Sequence, residues 1–484
     1  MIFIQNLSPY FWTVLDILSL LIRILSLVLI PQHHDSTTAT AWLIVVLLWP
    51  IPAIFFYFIL GTNMLPSRRL ERHNEALLHF QDVRERMQRH ELPGTTRVRL
   101  PEGLEATANL AENLGYMSAV GGNSVQYITS TEEFIATLVR EIDAAQKEIN
   151  LLYYIFMDDS MGRQVIDACH RAAKRNVVVR LLVDSVGSRK FLRSAAAKRL
   201  RGDGVCVEEA LPVRIYRAKA ERFDLRNHRK LAIFDRKIAI TGSHNVTEPR
   251  HKRSMTWEDV SLRLRGAVVK QLESVFIEDW YVETGKILDT PHLFTDPVEK
   301  CGSACLQTVP SGPSYQTENY QRLIISSIIS AKKQVTITTP YLIPDVGMLQ
   351  AIEVAYLRGV CIRLVIPAKS DHIIVGYASR AYCADFLRLG VEVYLYDKGL
   401  LHAKTVTVDD DLTFVGTSNF DIRSFALNFE INMILYGAEE NRGIRLIQNS
   451  YIDTSRRLEK KQWEQRGHLS IALESMTKLL SPLL

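Results

Sequence analysis

Asn227–Asn245 reads NHRKLAIFDRKIAITGSHN, and the rest of the chain takes its meaning from it. His228, Lys230 and Asp235 stand at H-x-K-x4-D spacing, and Gly242, Ser243 and Asn245 follow. The same order returns downstream as His402, Lys404 and Asp409, then Gly416, Ser418 and Asn419. One His-x-Lys is uninformative. Two copies with one internal spacing, each closed by a small-residue turn and an Asn, indicate a duplicated half of a site. In both copies His and Lys are two apart and lead into an apolar or β-branched run, LAIF or TVTV. Such runs read as buried strands, and alternation then sets both side chains on one face.

Two imidazoles, two ammonium groups and two amides suit phosphate chemistry. Lysines and asparagines stabilise the oxyanions of a pentacoordinate transition state, while one His attacks and the other protonates the leaving alcohol. Nothing supplies a carboxylate-rich hard-metal site, so the expected mechanism uses neither metal nor cofactor. An acidic residue follows each motif: Asp259 in WEDVSLRL and Glu430 in NFEINMIL. A carboxylate accepting from one imidazole nitrogen fixes the tautomer. Asp259 is expected behind His228, and Glu430 stands in the same place after His402. Asp235 and Asp409 belong to the catalytic motif by position, although their place at a strand end favours a structural role. Asn245, Asn419, Ser243 and Ser418 complete the phosphate-binding set. Tyr154, Asp159, Tyr341 and Asp345 follow equivalent strands and are candidates for the rim. Cys169-His170 and His372 fall outside the pattern.

Outward from the motifs the chain repeats a helix-then-strand grammar. EEFIATLVREIDAAQKEINLLYYIF opens one half and ENYQRLIISSIISAKKQVTITTPYLIPD the other. Alternating helices and strands imply an α/β fold of two similar halves, with Val177–Val183 and Val360–Ile366 as interior parallel strands. Residues 121–290 form the first half and 313–484 the second. Residues 291–312, rich in Pro, Gly and Ser, read as a linker or surface loop. DTSRRLEKKQWEQRG reads as a charged helix. The closing ALESMTKLLSPLL is amphipathic; docking on the body is expected, with membrane contact as the alternative.

Residues 1–61 read as a transmembrane hairpin with helices over 10–31 and 41–60, each long enough to cross ~30 Å of hydrocarbon. Pro50 and Pro52 kink the second. Asp16 and Arg23 share a face of the first and can meet each other or a partner. The connection PQHHDSTTAT has no Lys or Arg, and His33-His34-Asp35 within it reads as a polar turn. Arg68, Arg69 and Arg72 follow the second span, which places the body in the cytoplasm. Residues 62–120 are a basic juxtamembrane segment, helical on the membrane surface over 66–92. The net charge of +5 suits an anionic partner without choosing one, and six scattered cysteines make neither a disulfide framework nor a zinc site.

The doubled HxKxxxxD(x6)G-x-x-N pattern resembles the phospholipase D superfamily. With the hairpin, RNHRK, TPYLIPD and LHAK, the chain is similar to the bacterial cardiolipin synthases over nearly its whole length. That resemblance implies two packed halves with both motifs in one site. It implies a multi-pass protein of the bacterial inner membrane that acts on membrane phospholipids and is compatible with a homo-oligomer. The implied reaction converts two phosphatidylglycerols to cardiolipin and glycerol through a phosphatidyl-histidine on His228, with His402 as acid and base. A phospholipase D-type hydrolase or another phosphatidyltransferase is the alternative. A nuclease has little use for the hairpin and no nucleic-acid partner is expected; an inactive scaffold has no use for the intact motifs.

Overall fold

The computed structural model describes residues 9–33, 36–57, 61, 71–73, 75, 76, 78, 85, 98, 100–213, 225–251, 255–288, 293, 296–315, 317–479 and 481. There are two compact units: an N-terminal one within Met1–Ser67, and a body spanning Arg68–Pro212 and Leu225–Leu484.

In the N-terminal unit, Pro9–His33 is one apolar helix, and among the described residues it is the one helix long enough to cross a membrane. The segment expected as a second span over 41–60, kinked at Pro50 and Pro52, begins earlier in the structure. It is two pieces, Ser36–Leu48 and Pro50–Phe56, hinged at Trp49. Trp49 precedes a proline, whose ring pushes it out of the α region to φ −136°, ψ 73°. Backbone bonds of 2.9 Å from Trp49 to Val45 and from Ala53 to Trp49 hold the pieces together. Arg23 donates to the Leu47 carbonyl at 3.3 Å across the helix pair. Of His33-His34-Asp35 only His33 is described. Most of the basic segment also lies outside the described residues. Its described Arg72, His73 and Ala76 contact helix Val268–Thr284 or its neighbours, where a membrane-surface helix was expected.

In the body the first half contributes β1 (Val120–Ile128), β2 (Glu148–Tyr153), β3 (Val178–Asp184), β4 (Cys206–Ala210), β5 (Lys230–Phe234), β6 (Ile238–Gly242), β7 (Arg250–His251), β8 (Met255–Glu258) and β9 (Ser261–Arg265). The second contributes β10 (Ala304–Ser311), β11 (Gln334–Thr338), β12 (Leu342–Ile343), β13 (Cys361–Pro367), β14 (Glu392–Tyr396), β15 (Leu400–Leu401), β16 (Thr405–Val408), β17 (Leu412–Gly416), β18 (Phe420–Asp421), β19 (Glu430–Tyr436) and β20 (Ser455–Arg457). Among the described residues fifteen strands form one mixed sheet. Its order is β20-β14-β13-β11-β16-β17-β19-β10, then β1-β9-β6-β5-β2-β3-β4. Apart from the edge strand β20, the two sequences mirror each other about the β10–β1 seam. In each half a parallel block (β2, β3, β4; β11, β13, β14) adjoins the antiparallel strands that carry the motif.

Alternation decides what each strand face buries. Ile149, Leu151 and Tyr153 face the core that Phe134, Ile135 and Leu138 of helix Thr131–Ala144 fill. Leu152 and Leu231 face the opposite way, into a core shared with Leu306, Ile431 and Met433 of the second half. A third core lies under helices Asn319–Ser330 and Val346–Leu357. Both faces of these strands are buried, so their sequences read as unbroken apolar runs.

Two segments differ from expectation. Ala304–Ser311, placed in the linker or a surface loop, is the buried strand β10 at the seam. The charged segment expected as one helix begins as edge strand β20 and becomes helical only at Lys460–Glu464.

Candidate active site

Both motifs sit at the carboxyl ends of the parallel strands, the usual binding edge of an α/β sheet. Tyr153, the last residue of β2, is paired with Lys230, and Thr338 of β11 with Thr405, so His228 and His402 stand beyond those ends. Two cross-half backbone contacts register the motifs. His228 donates its N–H to the Phe429 carbonyl at 2.9 Å, and His402 to the Glu258 carbonyl at 2.8 Å.

That registration corrects the expected carboxylate partners. His228 Nδ1 lies 3.0 Å from both oxygens of Glu430, and His402 Nδ1 lies 2.7 Å from Asp259 Oδ1. Each imidazole is oriented by the opposite half. The cause is the pairing itself: a residue following its own motif runs off along the next strand, whereas the facing half presents its carboxylate beside the ring. Both Nδ1 atoms being engaged, each His keeps Nε2 for chemistry.

Lys230 Nζ donates to the His228 carbonyl at 2.7 Å, and Lys404 repeats the bond to the His402 carbonyl. All four side chains are buried. Burial draws Lys230 down to about 7 and Lys404 down to about 8, with Glu430 and Asp259 opposing. Burial and the charges of Lys230 and Lys404 hold His228 well below its usual value, which favours a neutral ring. Its partner Glu430 is pushed up by burial to about 7. The other pair differs. Burial raises Asp259, but the adjoining His402 overrides it and holds the carboxyl well below the usual range. His402 is lowered by burial and Lys404, and Asp259 pulls it back up. Of the two pairs, His402–Asp259 is the one whose carboxylate opposes the loss of the ring proton.

Asp235 and Asp409 do not join the reacting groups. Asp235 accepts from the N–H groups of Gln146, Lys147 and Glu148 at 2.8, 2.7 and 3.0 Å, beyond the far end of β5. Asp409 does the same for Lys332, Lys333 and Gln334. Each has φ +48°, a left-handed turn that Asp tolerates better than most residues. Both cap the helix-to-strand turn, as the strand-end position suggested.

The glycines are set by close approach. A Cβ on Gly242 would overlap Val260 O and Ser261 Cα, and one on Gly416 would overlap Ile431 O and Asn432. Register then shows that Ser243 matches Thr417, not Ser418. Ser243 exchanges bonds with Val260, and Thr417 does so with Ile431. Ser418 matches His244: Asn432 donates to Ser418 at 2.7 Å, and His244 Nδ1 meets Ser261 Oγ at 2.9 Å. A large His opposite a small Ser in one half replaces a small Ser opposite a larger Asn in the other. His244 also stacks on Phe134 at 4.6 Å, and burial takes it down to about 4, so it is neutral at pH 7. Asn245 accepts from the Ile155 N–H at 3.1 Å, which leaves its amide donor for a ligand. Asn419 donates to Asp421 at 3.1 Å, and its Oδ1 is buried without a partner.

Of the rim candidates, Tyr154 stands edge-on to His228 with centroids 4.9 Å apart. Tyr341 donates to Asp371 at 2.9 Å. Asp159 and Asp345 are helix N-caps. Cys169 lies in the first half's core and His170 pairs with Asp203, both apart from the motifs. Sequence reasoning missed Trp257, whose indole stacks on His402 at 5.0 Å and 22°, and the pairs Arg226–Asp184 and Arg229–Asp279 that anchor the RNHR stretch. The spacing Trp257-x-Asp259 was the available signal: a residue two before a site carboxylate on an extended strand shares its face.

A duplicated α/β sheet with paired His, Lys and crossed carboxylates defines a phosphodiester-processing class of protein. Residues 138–280 and 324–450 match the family described as cardiolipin synthase, PLD-like domain. The chain belongs to that family. It is 35% identical to cardiolipin synthase A of Pectobacterium carotovorum over 96% of both chains, and 33% identical to that of Klebsiella pneumoniae strain 342 over 98% of both. Its fold matches the crystal structure of a phosphatidylserine synthase from Haemophilus influenzae with TM-score 0.59 at 14% identity, covering 80% of this chain and all of the other.

Proposed function

We propose that the protein is a cardiolipin synthase: it transfers a phosphatidyl group from one phosphatidylglycerol to another, giving cardiolipin and glycerol. Family membership over nearly the full chain supports the reaction. The crossed imidazole–carboxylate pairs carry the mechanism, because they make the two histidines unequal.

Neutral His228 attacks the donor phosphate through Nε2. The P–O bond to glycerol breaks, and protonated His402 gives its Nε2 proton to the leaving oxygen. A phosphatidyl-histidine remains. His402, now neutral, takes the proton from a hydroxyl of the second phosphatidylglycerol; that oxygen attacks phosphorus and the P–N bond breaks. Bonds made and broken balance, so no nucleotide is consumed. Lys230 and Lys404, with the Asn245 amide, hold the equatorial oxygens. Asp259, Glu430 and the strand-end aspartates act by positioning. The apolar helix Pro9–His33 with the broken second helix anchors the chain, and Arg68, Arg69 and Arg72 favour a cytoplasmic body in an inner membrane.

The test is product analysis in proteoliposomes with labelled phosphatidylglycerol and a chelator. Cardiolipin and free glycerol are expected in equal amounts. Phosphatidic acid alone would make the protein a hydrolase.

A further inference from the structure

The last helix of the body, His468–Leu479, is docked the wrong way round for a soluble protein. Its charged face points inward. Glu474, 2% exposed, pairs with Arg380 at 3.0 Å and with Arg466. Lys478 pairs with Asp385 and lies over the Tyr382 ring, whose hydroxyl meets Ser481 at 3.1 Å. Its apolar face points outward. Leu469, Leu473, Met476 and Leu479 recur at helical spacing, and their exposures are 76%, 40%, 64% and 81%. A helix turned this way leaves its apolar stripe uncovered by any of the described residues. Contiguous exposed stripes mark interaction surfaces, whereas single exposed leucines do not.

The partner is named by what surrounds the stripe. Residues Arg456–His468 lead into the helix with four exposed cations, Arg456, Arg457, Lys460 and Lys461, against the carboxylates Glu459 and Glu464, while Arg466 is taken up by Glu474. A basic approach to an apolar helical stripe suits an anionic lipid surface. The pairs Arg380–Glu474 and Asp385–Lys478 are offset by 94 and 93 residues, so helix Ile373–Leu389 runs parallel to the last helix. Its first residues, Ile373 and Ile374, are 76% and 49% exposed and stand at the same end as Leu469. They follow Asp371 by two and three residues, and Asp371 accepts from Tyr341 and its charge acts on Lys404. The apolar stripe therefore leads to the mouth of the site.

We propose that the face formed by Leu469, Leu473, Met476 and Leu479, continued by Ile373 and Ile374, lies in the interfacial layer of an anionic phospholipid leaflet. The active-site mouth is thereby held against the lipid surface by the body itself. The salt-bridged inner face fixes the angle at which the helix presents its stripe.

The experiment uses the full chain in phosphatidylglycerol-containing vesicles and needs no turnover, so it stands or falls apart from the proposed reaction. Cys206, Cys301 and Cys361, the cysteines not buried, are replaced by Ser; the buried Cys169, Cys305 and Cys383 are shielded from label. An environment-sensitive fluorophore is placed at Leu473→Cys, separately at Met476→Cys, and at the control Leu357→Cys. Leu357 is 73% exposed and ends helix Val346–Leu357, at the opposite end of the parallel strands. Interfacial helices sit about 5–10 Å into the headgroup–acyl boundary, so a shallow nitroxide lipid should quench both stripe labels and spare the control. Equal quenching at all three positions would overturn the proposal. Burial of the stripe against a second copy would overturn it too. The labels would then be shielded from aqueous iodide and insensitive to nitroxide lipid, to a degree set by the protein-to-lipid ratio.

Discussion

Asp259→Asn removes one charge and almost no volume, and it separates the two halves of the catalytic argument. Asp259 Oδ1 lies 2.7 Å from His402 Nδ1, with both side chains buried. A buried charge-assisted hydrogen bond contributes about 1.5–3 kcal/mol, so the loss in kcat/KM for phosphatidylglycerol is expected at roughly 10- to 150-fold. The sign of the pH effect follows from the pair. His402 is protonated below its folded pKa and loses that proton as pH rises through it. Asp259 raises that pKa against burial and Lys404, so the variant's alkaline limb moves to lower pH. A lipid carrying p-nitrophenol as headgroup tests the role. Nitrophenolate departs without a proton, so the Asp259→Asn defect should shrink to a few-fold. Glu430→Gln acts on the nucleophile His228 and should keep its defect with either headgroup. Equal losses with both lipids for Asp259→Asn would refute the assignment of His402 as the acid, and a nitrophenyl rescue confined to Glu430→Gln would exchange the two roles.

Asp235→Ala leaves three strand-start N–H groups without their acceptor, which should lower stability by ~2–4 kcal/mol while the folded fraction keeps its kcat, as thermal denaturation alongside active-site titration would show. Trp257→Leu removes a ring stacked on His402, worth ~0.5–1.5 kcal/mol, so kcat should fall roughly 2- to 12-fold, with Trp257→Phe restoring most of it. Lys230, drawn down to about 7, and Lys404, to about 8, are partly neutral near pH 8 and become charged when an anion arrives. Tungstate binding at pH 8 should therefore take up protons, seen as a dependence of calorimetric heat on buffer ionisation enthalpy, and no such dependence would contradict the lowered lysines. His244→Ala opens a cavity and strands Ser261, so a stability loss of ~2–4 kcal/mol is expected with an unshifted pH–rate profile.

The two α/β halves were legible because periodicity records burial: helices such as Thr131–Ala144 show one apolar stripe, and strands buried on both faces show unbroken runs. β10 was not legible. Its eight residues lie between Gly302-Ser303 and Gly312 and contain Pro310, which together carry the signature of a loop. Pro310 is tolerated because β1 pairs with β10 only as far as Leu306. The site residues were legible as types, since the doubled spacing names them. Their pairing was not. Asp259 is close to His228 in sequence, but tertiary register between the halves, set by His228–Phe429 and His402–Glu258, decides which ring each carboxylate meets. The packing of His244 follows the same rule. Its compensation by Ser261 is visible only once the strands are aligned.

The crossed carboxylates also order events during synthesis. Glu430 lies 202 residues after His228, so at 5–20 residues per second the ribosome delivers it roughly 10–40 s later. Throughout that interval the nascent His228 has no carboxylate to fix its tautomer. The apolar helix Pro9–His33 emerges first, well before any reactive imidazole is assembled. A ribosome that stalls between the halves leaves a fragment whose His228 has neither Glu430 behind it nor His402 opposite it.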